Sequence, residues 1–308
     1  MVGLGGNALL ERGEPLTHET QRRHVKRAAV ALAAVGRDHH LVVTHGNGPQ
    51  VGLLATQDQA MPEIGHFPLD VIVAETEGMI GYMLSQELGN ALPGSRVASI
   101  LTQVEVDPED QAFAAPSKPV GPVYTRAQSE ALARATGWSV ARDGDGYRRV
   151  VPSPEPLRIL EIDTLRLLVE TGTVVICAGG GGIPIVFDPW GRAQGVEAVI
   201  DKDRSAALVA EQLGADALLL LTDVPAVFSD WGTPEALPLA EIDAGTAVGL
   251  GLPSGSMGLK VEAAARFVER TGGFSAIGAL DDAAAVLRGE AGTRVRAGRA
   301  PDRRPSVP

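Results

Sequence analysis

Short apolar runs alternate with amphipathic or alanine-rich segments, and glycine gathers where the runs end. No other feature of this chain restricts its fold as much. The runs from residue 2 to 4, 41 to 44, 97 to 106, 173 to 178, 217 to 222 and 274 to 279 have the length and apolar character of strands. Between them, residues 19–35, 70–92, 162–170, 204–213 and 260–270 carry helical patterns. This alternation predicts an α/β fold with a mostly parallel central sheet, covered by helices on both faces. Ligands of such sheets collect beyond the carboxyl ends of the strands.

The glycines lie there. "GLGGNALL" follows the first run, "HGNGPQVG" the second and "AGGGGIPI" the fourth, while "GSMGLK" opens a helix. Backbone N–H groups unhindered by a Cβ, together with helix N-termini, suit phosphate. One such loop is ordinarily a tight turn; four at equivalent points indicate a site. Gly3-x-Gly5-x-x-Ala8 matches a dinucleotide fingerprint, but that reading expects an acidic residue about 20 positions on, at the end of a second strand. The region is instead the helical "ETQRRHVKRAAV". The G-x-x-x-x-G-K-[ST] loop is absent too, which excludes an ordinary P-loop enzyme.

Charge narrows the partners. A net charge of −11 argues against nucleic acid and anionic membranes, so an anionic substrate needs a local cluster of cations. "RRHVKR" at 22–27 reads as a solvated helix face, and the end of the chain from 299 to 308 as a flexible tail. No apolar run reaches the roughly 18 residues of a membrane span, and the opening residues lack a basic leader, so a cytoplasmic location is expected. The single cysteine, Cys177, falls in an apolar strand and reads as core. The six histidines are scattered without ligand spacing, so no protein-held metal is expected. His45 reads as a residue that orders its loop.

Lysines are the candidates for the cations. In "EAVIDKDRSAALVAEQLGA", an apolar run delivers Asp201, Lys202 and Asp203 to a helix start. Asp203 is expected to cap the helix, Asp201 to pair with lysines, and Lys202 to meet a phosphate oxygen. Lys260 is expected in the first turn of its helix, where the dipole disfavours a cation by about 0.3–1 kcal/mol unless an anion intervenes. Lys118 lies in "SKPVGP", within a stretch from Asp107 to Pro156 that holds seven of the 21 prolines. That stretch reads as an inserted protruding subdomain or lid of a domain spanning 1–298. By spacing alone Lys118 would be an ordinary solvated loop lysine.

The stretches "GLGGNAL", "VVTHGNGPQVG", "LTQVEVDPEDQAF", "PSKPVGP", "RRVVPSPEP", "AGGGGIPIV", "GVEAVIDKD" and "GSMGLKVEAA", in this order, resemble the carbamate kinases of the amino acid kinase fold. The resemblance implies a three-layer αβα sandwich, a homodimer, and Mg²⁺-dependent phosphoryl transfer between ATP and carbamate, giving ADP and carbamoyl phosphate. It also implies use of carbamoyl phosphate from arginine breakdown to make ATP. Carried over, Gly5, Gly6, Asn7, Gly46, Asn47 and Gly48 would surround the transferred group and carbamate, and Gly180 and Gly181 would close the carbamate side. Lys202 and Lys260 would contact phosphates, Asp201 would organise them, and Lys118 would reach in from the protruding region. Thr222, Asp223, Val227, Trp231 and Met257 would form the nucleotide side. Mg²⁺ would be held mainly by nucleotide phosphates. The same fold acting on another small acid, or a catalytically weak nucleotide-binding protein, are the competing readings.

Overall fold

The run Val2–Leu4 is completely buried and lies between two parallel neighbours, Ala217–Thr222 and Val42–His45. In the computed structural model, which describes residues 1–6, 9–11, 14–59, 67–250 and 256–298, these three strands are the middle of an eight-stranded sheet. Its order is Glu241–Asp243, Thr293–Arg296, Phe274–Ala279, Ala217–Thr222, Val2–Leu4, Val42–His45, Val174–Ile176 and Val97–Ser99. The six strands from Phe274–Ala279 onward are parallel, and the first two run opposite to them. Alternating side chains divide the core between the two faces. Leu219 and Leu221 join Val25, Leu32, Ile80 and Leu84 of the helices His18–Gly36 and Leu69–Ala91. Leu218 and Leu220 join Ala206, Ala210 and Phe267 of the helices Lys202–Leu213 and Ser256–Thr271. Helices therefore cover both faces, giving three layers.

Register sets up the site. Leu4 is level with His45 on one side and Leu221 on the other, so Gly5, Gly46 and Thr222 emerge side by side at the carboxyl edge.

Three expectations need correction. The run 97–106 is two strands: Val97–Ser99 belongs to the central sheet and Gln103–Val106 to a second sheet of four. The break falls at Thr102, which donates its N–H to Glu77 and its hydroxyl to Ile100 O, and accepts from Ala178 N. The helix expected from 204 begins at Lys202, and the helix expected from 260 begins at Ser256. The Asp107–Pro156 stretch forms an antiparallel sheet of Lys118–Tyr124, Gly146–Val151 and Val140–Asp143. Its helix, Arg126–Thr136, carries a capping box at Thr125 and Gln128 and ends on left-handed Gly137. Residues 299–308 lie outside those described.

Candidate active site

The helix Lys202–Leu213 is capped by Asp201, whose Oδ1 accepts from Asp203 N at 2.9 Å and Arg204 N at 3.4 Å. The capping expected of Asp203 thus belongs to Asp201. Asp203, 2% exposed, does what was expected of Asp201: its Oδ2 accepts from both Lys202 Nζ and Lys260 Nζ, each at 2.8 Å. Asp201 Oδ2 instead accepts from Lys118 Nζ at 2.9 Å. The exchange follows from geometry: a capping side chain turns back over the helix end, so the next carboxylate is the one directed at the lysines.

Three ammoniums therefore converge on two carboxylates, and Asp203 Oδ1 is buried without a hydrogen-bond partner. Burial pushes Asp201 and Asp203 upward, but the lysines overcome it and hold both carboxyls below their ordinary range. Burial lowers Lys202, yet Asp203 and Asp201 raise it overall. Lys260, only 2% exposed and one turn into its helix, is lowered by burial and by the neighbouring Lys202 charge despite Asp203. Lys118 opens a strand rather than sitting on a free loop, and its side chain is 24% exposed.

Glycine loops enclose the lysines. Gly5 N donates to Leu221 O at 2.7 Å, and Gly46 N to Leu4 O at 3.1 Å. A Cβ on Gly46 would lie 3.0 Å from Gly6 Cα and 3.3 Å from the Lys202 stem, so the first two loops and this lysine meet at one point. Gly48 opens the helix Gly48–Gln59. Asn47, nearly buried, donates to Thr76 Oγ1 at 2.8 Å. The third loop closes on it: Gly180 has φ 70°, and a Cβ there would fall 1.9 Å from Asn47 Nδ2. Only glycine accommodates both constraints. Gly181 O accepts from Ser205 Oγ at 2.7 Å, tying this loop to the helix behind Lys202. Asn7 lies outside the described residues.

Two buried titratable residues support the loops, and only Glu77 had not been singled out for that role. His45 is fully enclosed; burial lowers its pKa to about 4, leaving a neutral ring with Nδ1 3.2 Å from Gly46 O. This is the loop-ordering role its sequence position suggested. Glu77 accepts from Gly179 N at 2.8 Å and Thr102 N at 3.2 Å, joining the Leu69–Ala91 helix to the third loop. Burial raises Glu77 to about 8 against the pull of those amides. Its sequence signal is a carboxylate set among Val73, Ile80 and Leu84 on the buried stripe of that helix.

Of the nucleotide-side residues, Thr222 adjoins Gly5 and donates to Asp223 Oδ1 at 2.9 Å. Met257 packs partly buried against the core cluster, and Trp231 is 58% exposed, tilted on Phe228. Val227 differs from expectation. It is wholly enclosed in the core with its N–H bonded to Thr293 Oγ1, so its side chain offers no ligand surface. Cys177 is core as expected, and burial pushes its thiol up. Among the described residues, no group of three or more His, Cys, Asp or Glu could hold a metal ion, and no helix is long and apolar enough to cross a membrane.

The glycine loops at aligned strand ends, with buried lysines between them, suit an anionic substrate whose charge grows during reaction. Residues 2–277 match the model of the amino acid kinase family. The chain is 52% identical to the carbamate kinase of Haemophilus influenzae, over 96% of each chain, and 48% identical to that of Escherichia coli K12, over 95% of this chain and 97% of the relative. Among solved structures, carbamate kinase from Giardia lamblia bound to AMP-PNP superposes with a TM-score of 0.88 at 39% identity, covering 96% of this chain and 98% of that one. The chain belongs to the amino acid kinase family and, within it, to the carbamate kinases.

Proposed function

We propose that the chain catalyses reversible phosphoryl transfer between ATP and carbamate, giving ADP and carbamoyl phosphate. The observation that carries this reading is the convergence of Lys118, Lys202 and Lys260 on two buried aspartates beside the glycine loops. In the ATP-consuming direction a carbamate oxygen attacks the terminal phosphorus, and the bond to the ADP oxygen breaks. Both reactants are anionic, so the barrier is dominated by repulsion and by charge on the equatorial oxygens. Lys202 and Lys260, fixed by Asp203 before substrate arrives, would meet that charge without reorganisation. Lys118 would add a third cation from the Asp107–Pro156 stretch, which we infer acts as a lid. Gly5, Gly6, Asn7, Gly46, Asn47 and Gly48 would hold the transferred group and carbamate, with Gly180 and Gly181 on the carbamate side. Thr222, Asp223, Trp231 and Met257 would line the nucleotide.

The donor set fits a metal that arrives on the nucleotide. Three of the four aspartate oxygens already accept hydrogen bonds, leaving Asp203 Oδ1 as the one able to face Mg²⁺ held by phosphates. Bound there, Mg²⁺ would neutralise phosphate charge. The test is a coupled assay for ATP formed from ADP and carbamoyl phosphate. Saturable ATP formation is expected; ADP binding with no ATP under saturating Mg²⁺ would overturn the reading.

The same reading extends to a homodimer in the cytoplasm, drawing carbamoyl phosphate from arginine breakdown. Exposed Val30 and Tyr82 on two outer helices favour association. A monomer mass in sedimentation, a membrane-bound fraction, or unchanged ATP yield when arginine is the sole energy source would count against its respective parts.

A further inference from the structure

A cavity of about 260 Å³ lies between the sheet of Lys118–Tyr124, Gly146–Val151 and Val140–Asp143 and the body. Leu69 and Glu197 line it from the body; Phe113, Trp138, Ser139 and Arg149 complete it. Arg149 is the unusual member. Its side chain is only 14% exposed, its guanidinium carbon lies 4.1 Å from the Trp138 ring centroid, and the guanidinium, though ion-paired with Glu197, makes no hydrogen bond among the described residues. The neighbouring Arg148, by contrast, donates to Gly121 O at 2.9 Å and Asp143 Oδ2 at 3.1 Å. A guanidinium offers five N–H donors, and those of Arg149 are not sealed from solvent, so they stay open to a ligand that enters the cavity. The nearest carboxylate, Glu197 Oε2, is 3.6 Å away, beyond hydrogen-bond range, while Glu197 Oε1 is held by Leu69 N at 2.9 Å.

A planar cation with free donors suits a carboxylate, bound through two parallel N–H groups. The carboxylate of Glu197, fixed beside it, suits an ammonium and repels a phosphate or dicarboxylate. Phe113 and the free part of the Trp138 ring form an apolar wall, to which Leu69, 1% exposed, adds little surface. The volume falls below the roughly 300–1,000 Å³ of drug-sized sites, which excludes a nucleotide. We propose that this cavity binds a free α-amino acid with an apolar side chain, as its zwitterion: carboxylate on Arg149, ammonium on Glu197, side chain on the wall. The bound molecule would bridge body and protruding sheet. Arg149 lies on the strand Gly146–Val151, which pairs Val151 with Lys118, so occupancy reaches the lysine cluster through one strand pair.

The inference does not depend on the phosphoryl-transfer reading, and its test needs no turnover. Calorimetry on the full-length protein uses L-leucine as probe, with L-leucinamide lacking the carboxylate and 4-methylpentanoate lacking the ammonium. Saturable leucine binding is expected, with both analogues weaker by about tenfold, the scale for one lost charged hydrogen-bond pair. Hydrogen exchange should slow on leucine addition at 138–151 and around Leu69. Arg149→Gln should weaken binding by about tenfold or more, and Glu197→Gln, which keeps an acceptor for Leu69 N–H, by about fivefold. Should Arg149→Gln fail to fold, the analogue series and Glu197→Gln decide. No leucine heat at about ten millimolar, an analogue binding as tightly as leucine, or protection confined to other segments overturns the proposal.

Discussion

The central body and the three-stranded sheet of the Asp107–Pro156 stretch, which we propose protrudes as a lid, hold the same charge cluster by different means. In the body, the strand Ala217–Thr222 is buried at every residue but the first, between two apolar clusters. In the protruding sheet, the strand Lys118–Tyr124 is buried only at Val120. That sheet meets the body through Val120 and Val151, buried in one apolar cluster with Val51, Ala55, Leu69, Ile72, Val73 and Val199, and through Lys118 on Asp201, Arg149 near Glu197, Val199 N on Pro152 O at 3.0 Å, and Gly121 against Gly52. Two of the three lysines are thus fixed by the core, and the third is supplied by a sheet whose apolar anchorage, through Val120 and Val151, is smaller than the clusters of the body. Such a region is expected to open at a free energy well below that of global unfolding.

The largest effects should separate the two sets of lysines. Lys202→Ala and Lys260→Ala are expected to lower turnover about 10²–10³-fold, the scale for one preorganised charge, and to weaken ADP binding as well. Lys118→Ala should lower turnover about 10²-fold with ADP affinity nearly unchanged, the pattern of a contact made mainly in the transition state. Calorimetry with ADP and the coupled assay on the same preparations test this. If Lys118→Ala weakens ADP as much as Lys202→Ala does, the fixed and movable halves are one unit.

Within the body, Glu77 supplies a pH test. Its pKa in the folded protein, about 8, is raised from 4.5, so between these values the folded state binds the proton that the unfolded chain has released. Stability associated with this residue is therefore full below about pH 4.5 and is lost as pH rises through 8. Glu77→Gln removes that loss. The variant's unfolding free energy should gain on the parent's by a few kcal/mol between pH 5 and 8, an order-of-magnitude figure from linkage. Denaturant titrations at both pH values check it. A constant difference would mean that Glu77 is ionised throughout.

The contact between the regions offers a smaller effect. A Cβ on Gly52 would sit 2.3 Å from Gly121 Cα, backbone against backbone. Gly52→Ala should shift the protruding strand and lower turnover about tenfold, because misplacing a catalytic group by roughly an ångström can cost that much or more. Its melting temperature should stay near the parent's. A large fall in melting temperature with normal turnover would show the contact to be part of the core.

What the sequence disclosed follows the same division. Strands buried on both faces read directly as apolar runs, and Ala217–Thr222 and Phe274–Ala279 have the expected bounds. Gly146–Val151 gave no such signal, since Tyr147, Arg148 and Arg149 are half-buried and stabilised by polar and aromatic contacts. At the site, the loops, Lys202 and Lys260 were legible because each residue type has a local purpose, whereas Lys118 read by spacing as an ordinary loop lysine and was marked only by the family resemblance of "PSKPVGP". The division of labour between Asp201 and Asp203 was not, because adjacent carboxylates look alike until a helix end sets their directions. Val227 was misread for a related reason. A strand edge beside a loop carries no mark of which side the core covers.

The smallest expected effect bears most directly on whether the protruding region is energetically separate. Thr125 accepts from Gln128 N at 3.4 Å, and Gln128 Oε1 accepts from Thr125 N at 2.9 Å. Thr125→Ala removes this cap, at a cost of about 1 kcal/mol to the helix Arg126–Thr136. If that helix opens with its own sheet and without the body, the whole cost falls on local opening. Amide exchange across 126–136 should accelerate about fivefold, while exchange in Ala217–Thr222 and the melting temperature stay as in the parent. Turnover should hardly change, since Lys118 is placed by its strand pairing with Val151 rather than by the helix. Were the cost to appear equally in the exchange of Ala217–Thr222, the two regions would unfold as one. Lys118 would then be as firmly fixed as Lys202, and no lid would be needed to explain either.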